Sequence, residues 1–139
     1  RLKQAADLHS NRVSQWLVLD QLRSPQRAAR LEQLVETYRY KRNLFDDDLT
    51  HHFTGLAQWR QPPGGLFFWL ELAQKIDTRS LLPAAIEQGV AFMPGEPFFA
   101  VDQGARGALR LNFSHADAAQ IERGLEILAG LMSDRLAIE

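Results

Sequence analysis

The chain has 139 residues, 45% of them hydrophobic, and 16 Lys+Arg against 17 Asp+Glu give a formal net charge of -1. That balance argues against a nucleic-acid or anionic-membrane binder, and the lack of cysteine excludes disulfides and thiolate metal centres. No apolar run reaches the roughly 18 residues of a membrane span and no signal-peptide pattern opens the chain, so one soluble, cytoplasmic domain with a single core is expected.

From Leu2 to Leu22 the apolar positions 2, 5, 6, 13, 16 and 17 form a helical stripe with a polar gap at His9, Ser10 and Asn11. The gap reads as a kink or as a patch facing something polar. The chain starts Arg1-Leu2-Lys3-Gln4, without Met and already in a helical pattern, which leads us to expect a piece of a longer protein. Ser24-Pro25 reads as an N-cap followed by proline at the first helical position. The helix it opens carries Leu31, Leu34, Val35, Tyr38, Phe45, Leu49 and His52 or Phe53, and Gly55 closes it. Arg39-Tyr40-Lys41-Arg42 and Asp46-Asp47-Asp48 are expected on its solvated face.

Leu56–Arg60 reads as a short strand and Pro62-Pro63-Gly64-Gly65 as a turn into Leu66–Leu72, a run apolar on both faces until Glu71 and therefore expected to be a central strand covered on both sides. Thr78 is expected to cap a third helix that buries Leu81, Leu82, Ala85 and Ile86 and stops at Gly89. Val90–Met93 reads as a short strand, and the prolines of Pro94-Gly95-Glu96-Pro97-Phe98-Phe99 argue for a loop without regular pairing. After a polar loop, Asp102–Gly107, comes Gly107–Ser114. There Leu109, Leu111 and Phe113 alternate with Ala108, Arg110, Asn112 and Ser114, so only the leucine/phenylalanine face can be core. Asp117 with Gln120 resembles a capping box before a last helix carrying Ile121, Leu125, Leu128, Leu131 and Met132. The order predicts an α+β fold, a small antiparallel or mixed sheet covered by helices, without repeats or linkers.

Few residues point to chemistry. His51-His52, His9 and His115 lack ligand spacing for a metal, Pro62–Gly65 lacks the Lys-Ser/Thr ending of a phosphate loop, and no nucleophile sits in an elbow motif. Arg110 stands out because a planar guanidinium on a packed strand suits bidentate capture of a carboxylate or phosphate.

Four segments in register, Lys3-Gln4-Ala5-Ala6-Asp7-Leu8-His9-Ser10, Pro63–Leu70, Gly89–Phe99 and Leu109–Ser114, resemble the C-terminal part of fold-type I pyridoxal-phosphate-dependent aminotransferases. The branch is that of the 2-aminoadipate and kynurenine aminotransferases and the MocR-type regulators. The resemblance implies that residues 1–139 are the small domain, its first helix being the connector from a cofactor-binding large domain of the same chain, in a homodimer. It implies that Arg110 binds the α-carboxylate of an amino acid or 2-oxo acid, with Gly95 and Phe98 bordering the pocket. The family's Schiff-base lysine lies in an upstream Ser-x-Ser-Lys stretch, and Lys3, Lys41 and Lys75 sit in other settings. No catalytic, cofactor-binding or metal residue is therefore expected here, and this segment alone is expected neither to bind pyridoxal phosphate nor to transaminate. The alternative role is an effector-sensing domain behind a winged-helix module in a MocR/GntR-type regulator.

Overall fold

The computed structural model describes residues 11–100 and 107–136. The expected helical stretch from Leu2 through Ser10, Lys3 with it, and residues 102–106 of the polar loop lie outside that description. The chain divides into two compact units, residues 1–37 and 38–139.

In the first unit, α1 (Arg12–Arg23) begins after Asn11, whose Oδ1 accepts hydrogen bonds from the Val13 and Ser14 amides at 2.9 and 3.1 Å. Asn11 is thus a helix cap, which satisfies two of the amides that a helix start leaves without partners, while His9 and Ser10 lie outside the described residues. The second helix, α2 (Arg27–Phe53), starts two residues later than Ser24-Pro25 implied. Ser24 instead holds a turn: its hydroxyl accepts from the Gln26 amide and from Arg30 Nη2, while Arg30 Nη1 donates to Gln21 Oε1 at 2.8 Å. Val13, Trp16, Leu17, Val18 and Leu22 of α1 and Leu31, Leu34 and Val35 of α2 are all exposed.

The second unit holds the rest of α2, then β1 (Ala57–Trp59), β2 (Phe67–Leu72), a 3-10 turn (Thr78–Ser80), α3 (Leu82–Glu87), β3 (Met93–Pro94), a second 3-10 turn (Glu96–Phe98), β4 (Ala108–Asn112) and α4 (Ala118–Leu136). The sheet runs β1-β2-β4-β3, every pairing antiparallel. One face carries Phe68, Leu70, Leu109 and Leu111, packed with Phe113 against Phe45, Leu49 and Phe53 of α2 and Ile121, Leu125, Leu128 and Met132 of α4. Phe68 stacks on Phe45 at 5.1 Å and meets Phe113 edge-on at 5.6 Å. Burying each such ring contributes about 1.5–3 kcal/mol. The capping box forms as expected, Asp117 N donating to Gln120 Oε1 and Gln120 N to Asp117 Oδ1.

Several expectations are corrected. The centre of the sheet is indeed β2 and β4, but β2 is covered on one face only; Phe67 and Glu71 on the other are exposed. Thr78 caps nothing: Asp77 takes that role one residue earlier, accepting from the Arg79 amide, and Thr78 is buried. Ile86 is 56% exposed because α3 lasts six residues and commits its inner side to Ala85, one step round the helix. The strand foreseen over Val90–Met93 is the pair Met93–Pro94, placed opposite Arg110 and Leu109. Pro94 can pair because β3 is an edge strand, where a missing N–H faces outward. The charged run on α2 is also less solvated than expected. Lys41 Nζ donates to the Ser114 and Ala116 carbonyls at 2.9 and 3.1 Å, and Asp46 accepts from Trp59 Nε1 at 2.8 Å and Gln61 Nε2 at 3.0 Å. These contacts tie α2 to the C-terminal ends of β1 and β4.

Asp48, on the same helix, has its carboxyl held above the ordinary value, first by burial and then by the charges of Glu122 and Asp47, with His52 and His51 pulling the other way. A carboxyl raised on folding contributes stability below its unfolded pKa and loses it as pH rises through the folded value. Asp48→Asn is therefore expected to raise the melting temperature near pH 7 and to lose that advantage below about pH 4, where the native carboxyl is neutral in both states. Equal melting temperatures at neutral pH would refute this.

Candidate functional site

Arg110 lies in the interior of the sheet, in register with Trp69 of β2 on one side and Met93 of β3 on the other. Alternation along β4 puts its side chain on the open face, since Leu109 and Leu111 occupy the core face. Ala108, on the same side as Arg110, is nonetheless buried, because the loop after β3 crosses over it.

The guanidinium carbon of Arg110 stands 4.2 Å from the centroid of the Phe67 ring and 4.8 Å from that of Phe98. Each contact of this kind is worth about 0.5–2 kcal/mol, more where water is excluded. Trp69 supports the arrangement, meeting Phe98 edge-on at 5.6 Å and Phe99 at 6.1 Å. Among the described residues no carboxylate pairs with Arg110 and no hydrogen bond from it forms. With only rings against it among the described residues, the half-buried guanidinium turns its N–H donors to an incoming group, and their fork matches a carboxylate.

Of the three residues expected at the site, the structure brings Arg110 and Phe98 together. Phe98 is 50% exposed and lies over the guanidinium rather than in the core. Gly95 faces β4: a Cβ there would fall 2.6 Å from the backbone carbon and oxygen of Ala108, and the Gly95 amide donates to that oxygen at 2.8 Å. Its lack of a side chain is what lets the loop close on the arginine strand. Phe67 and Trp69 were not among the expected site residues. They follow from register, since both lie on the face of β2 opposite Phe68 and Leu70, beside Arg110.

Behind the loop lies a buried polar cluster. Glu96 is 5% exposed; its Oε1 accepts from the Thr78 amide at 2.9 Å and its Oε2 from the Thr78 hydroxyl at 2.5 Å. The same hydroxyl is 2.9 Å from the Ala108 carbonyl. A glutamate amid Pro, Gly and Phe was the only sequence signal for it.

Two of the three lysines fall among the described residues. The Lys41 ammonium is bound to two carbonyls, Lys75 lies on the exposed stretch after β2, and Lys3 is outside the described residues. Neither described lysine is set beside the guanidinium of Arg110 by any hydrogen bond or ring contact, and no chemical step is derived through a cofactor. Among the described residues, too, no group of acids and histidines is arranged to hold a metal, and no helix is long and apolar enough to cross a membrane.

The chain resembles known proteins over nearly its whole length. Residues 2–128 match the model of the family described as aminotransferase class I and II. The chain is 34% identical to the 2-aminoadipate transaminase of Thermus thermophilus over 98% of its own length and 34% of that protein's. It superposes with a TM-score of 0.89 and 33% identity on LysN, an α-aminoadipate aminotransferase of Thermus thermophilus solved with N-(5'-phosphopyridoxyl)-L-leucine, covering 99% of this chain and 35% of that one. It is also 26% identical, over 98% of its length and 27% of the relative's, to an uncharacterized HTH-type transcriptional regulator, YdfD, of Bacillus subtilis. The chain spans about a third of the length of the curated relatives it matches.

Proposed function

The chain belongs to the class I and II aminotransferase family, and from that premise we propose that it is the substrate-gripping small domain of a pyridoxal-phosphate-dependent enzyme that moves an amino group from an amino acid to a 2-oxo acid. The observation that carries this reading is Arg110, ringed by Phe67 and Phe98 and without a carboxylate partner among the described residues. Donor and acceptor share one feature, a carboxylate next to the carbon that reacts. One guanidinium can therefore serve both halves of the transfer.

Arg110 binds that carboxylate through two parallel N–H···O bonds and so fixes the direction of the Cα–H bond for proton removal. Phe98 and Phe67 flank the guanidinium, and Gly95 holds the loop that carries Phe98. Pyridoxal phosphate, held by other parts of the protein, supplies the electron sink for the carbanion when bound. We place the whole protein in the cytoplasm as a homodimer that includes a cofactor-binding large domain of the same chain. A cysteine-free chain fits that compartment.

The test is Arg110→Ala in the full-length enzyme, with L-2-aminoadipate and its decarboxylated counterpart 5-aminopentanoate as amino donors. The amino acid is expected to lose its advantage over the amine, and a preserved preference would refute the assignment. The similarity to YdfD supports a second reading, an effector-sensing domain of a regulator. Purified full-length protein that transaminates excludes it as the sole role; protein that binds amino acids without turnover and shifts a DNA fragment would establish it.

A further inference from the structure

We propose that Glu96 and Thr78 are positioning residues: a buried clasp that sets where Phe98 stands over Arg110, and through it the affinity of the site for the substrate carboxylate. The inference rests on the carboxylate-binding role proposed for Arg110.

Glu96 opens the 3-10 turn that ends at Phe98, so the carboxyl and the ring share one short rigid piece of backbone. Both carboxyl oxygens point back into the protein. One takes the amide and the other the hydroxyl of Thr78, a residue 18 positions away that opens the turn before α3. That hydroxyl also reaches the carbonyl of Ala108, two residues before Arg110 on the same strand. Three segments therefore meet in one cluster: the Phe98 turn, the start of the α3 region and the arginine strand. The Gly95 amide bonds to the same Ala108 oxygen and anchors the turn at the residue just before Glu96.

A carboxyl in this place is costly unless its oxygens are satisfied, and no cation is bonded to it among the described residues. Packing alone would be served by an apolar side chain. What the carboxyl adds is direction, since two hydrogen bonds to one residue fix the rotation of the turn about the strand, and the Phe98 ring follows that rotation. The ring itself is half exposed and touches Trp69 and Arg110, so its position depends on the backbone turn that carries it.

The experiment compares variants of the full-length enzyme with L-2-aminoadipate as amino donor. Glu96→Ala is expected to raise KM about tenfold with kcat per folded enzyme changed less than about twofold, the mark of lost ground-state binding rather than lost protein. Glu96→Gln is expected to stay within about threefold of wild type, because its carbonyl can accept the Thr78 amide while its NH2 donates to the hydroxyl, which turns to Ala108. Hydrogen exchange in the Gly95–Phe99 segment should accelerate in Glu96→Ala and not in Glu96→Gln. If Glu96→Ala does not fold, Thr78→Val, which removes the hydroxyl at constant volume, is expected to give the same KM-only change. Unchanged KM in Glu96→Ala or Thr78→Val while Arg110→Ala is still crippled would overturn the clasp and leave the arginine's role standing. Glu96→Gln failing as badly as Glu96→Ala would overturn it as well. If Arg110→Ala itself has no effect, the reading beneath both is lost.

Discussion

Arg110→Ala is expected to lower kcat/KM for an amino acid by about 10²-fold, the equivalent of roughly 3 kcal/mol, while leaving the slow reaction of the matching amine near its wild-type rate. The size follows from the bond being made. A charge-assisted hydrogen bond contributes about 1.5–3 kcal/mol, and losing a forked pair sacrifices both members along with the alignment they impose. The flanking rings of Phe67 and Phe98 offer no donor of their own to take over the carboxylate once the cation is gone. Arg110→Lys should recover only part of the rate. An ammonium restores the charge but offers one point where the carboxylate meets two, and it sits less well over a ring. Steady-state constants for L-2-aminoadipate and 5-aminopentanoate, measured side by side, separate these outcomes. A lysine variant equal to wild type would show that charge alone suffices.

The second large effect concerns folding. Gly107→Ala is expected to destabilise the protein by about 2–5 kcal/mol, the sum of a left-handed backbone penalty and the cost of overpacking. Gly107 has φ +65°, and an added Cβ would press into the Gln74 carbonyl oxygen and stand 3.2 Å from Lys75 Cα. Neither neighbour can yield, because both are main chain. The Gly107 carbonyl also accepts from the Leu72 amide, and its own amide donates to the Ile76 carbonyl, so any shift breaks the entry to β4. Gly64→Ala is the control, as a Cβ there meets nothing within 4 Å and φ is ordinary. The urea midpoint should fall sharply for the first and barely move for the second, with similar m-values. Matching midpoints would refute the argument.

Where local chemistry decides, the sequence was readable. Alternation along Leu109–Phe113 assigned the two faces of β4, and Asp117 with Gln120 announced the start of α4, because both signals act over a few neighbouring residues. Thr78 was misread for an instructive reason. Threonine is a good cap, but Asp77 stands one place earlier, and once the aspartate holds the Arg79 amide the threonine is free to turn inward to Glu96. Its partner is 18 positions away, beyond the reach of any local pattern. Asp46 and Lys41 illustrate the same limit, since only the folded sheet brings Trp59, Gln61, Ser114 and Ala116 to them. Arg110 was visible as a cation on a strand. Its setting between two phenyl rings depends on the register of β2 and the path of the Phe98 turn, which no single segment encodes.

The borders of the sheet carry a consequence for handling the protein. One edge strand has three residues and the other has two, with Pro94 ending the second. A rim so short, and closed by an imino acid, offers an invading polypeptide almost no ladder to extend. Clumping at high concentration should therefore start from exposed apolar side chains such as Val13 and Trp16 of α1 and be relieved by mild detergent, whereas fibril growth by edge recruitment has no template on this sheet.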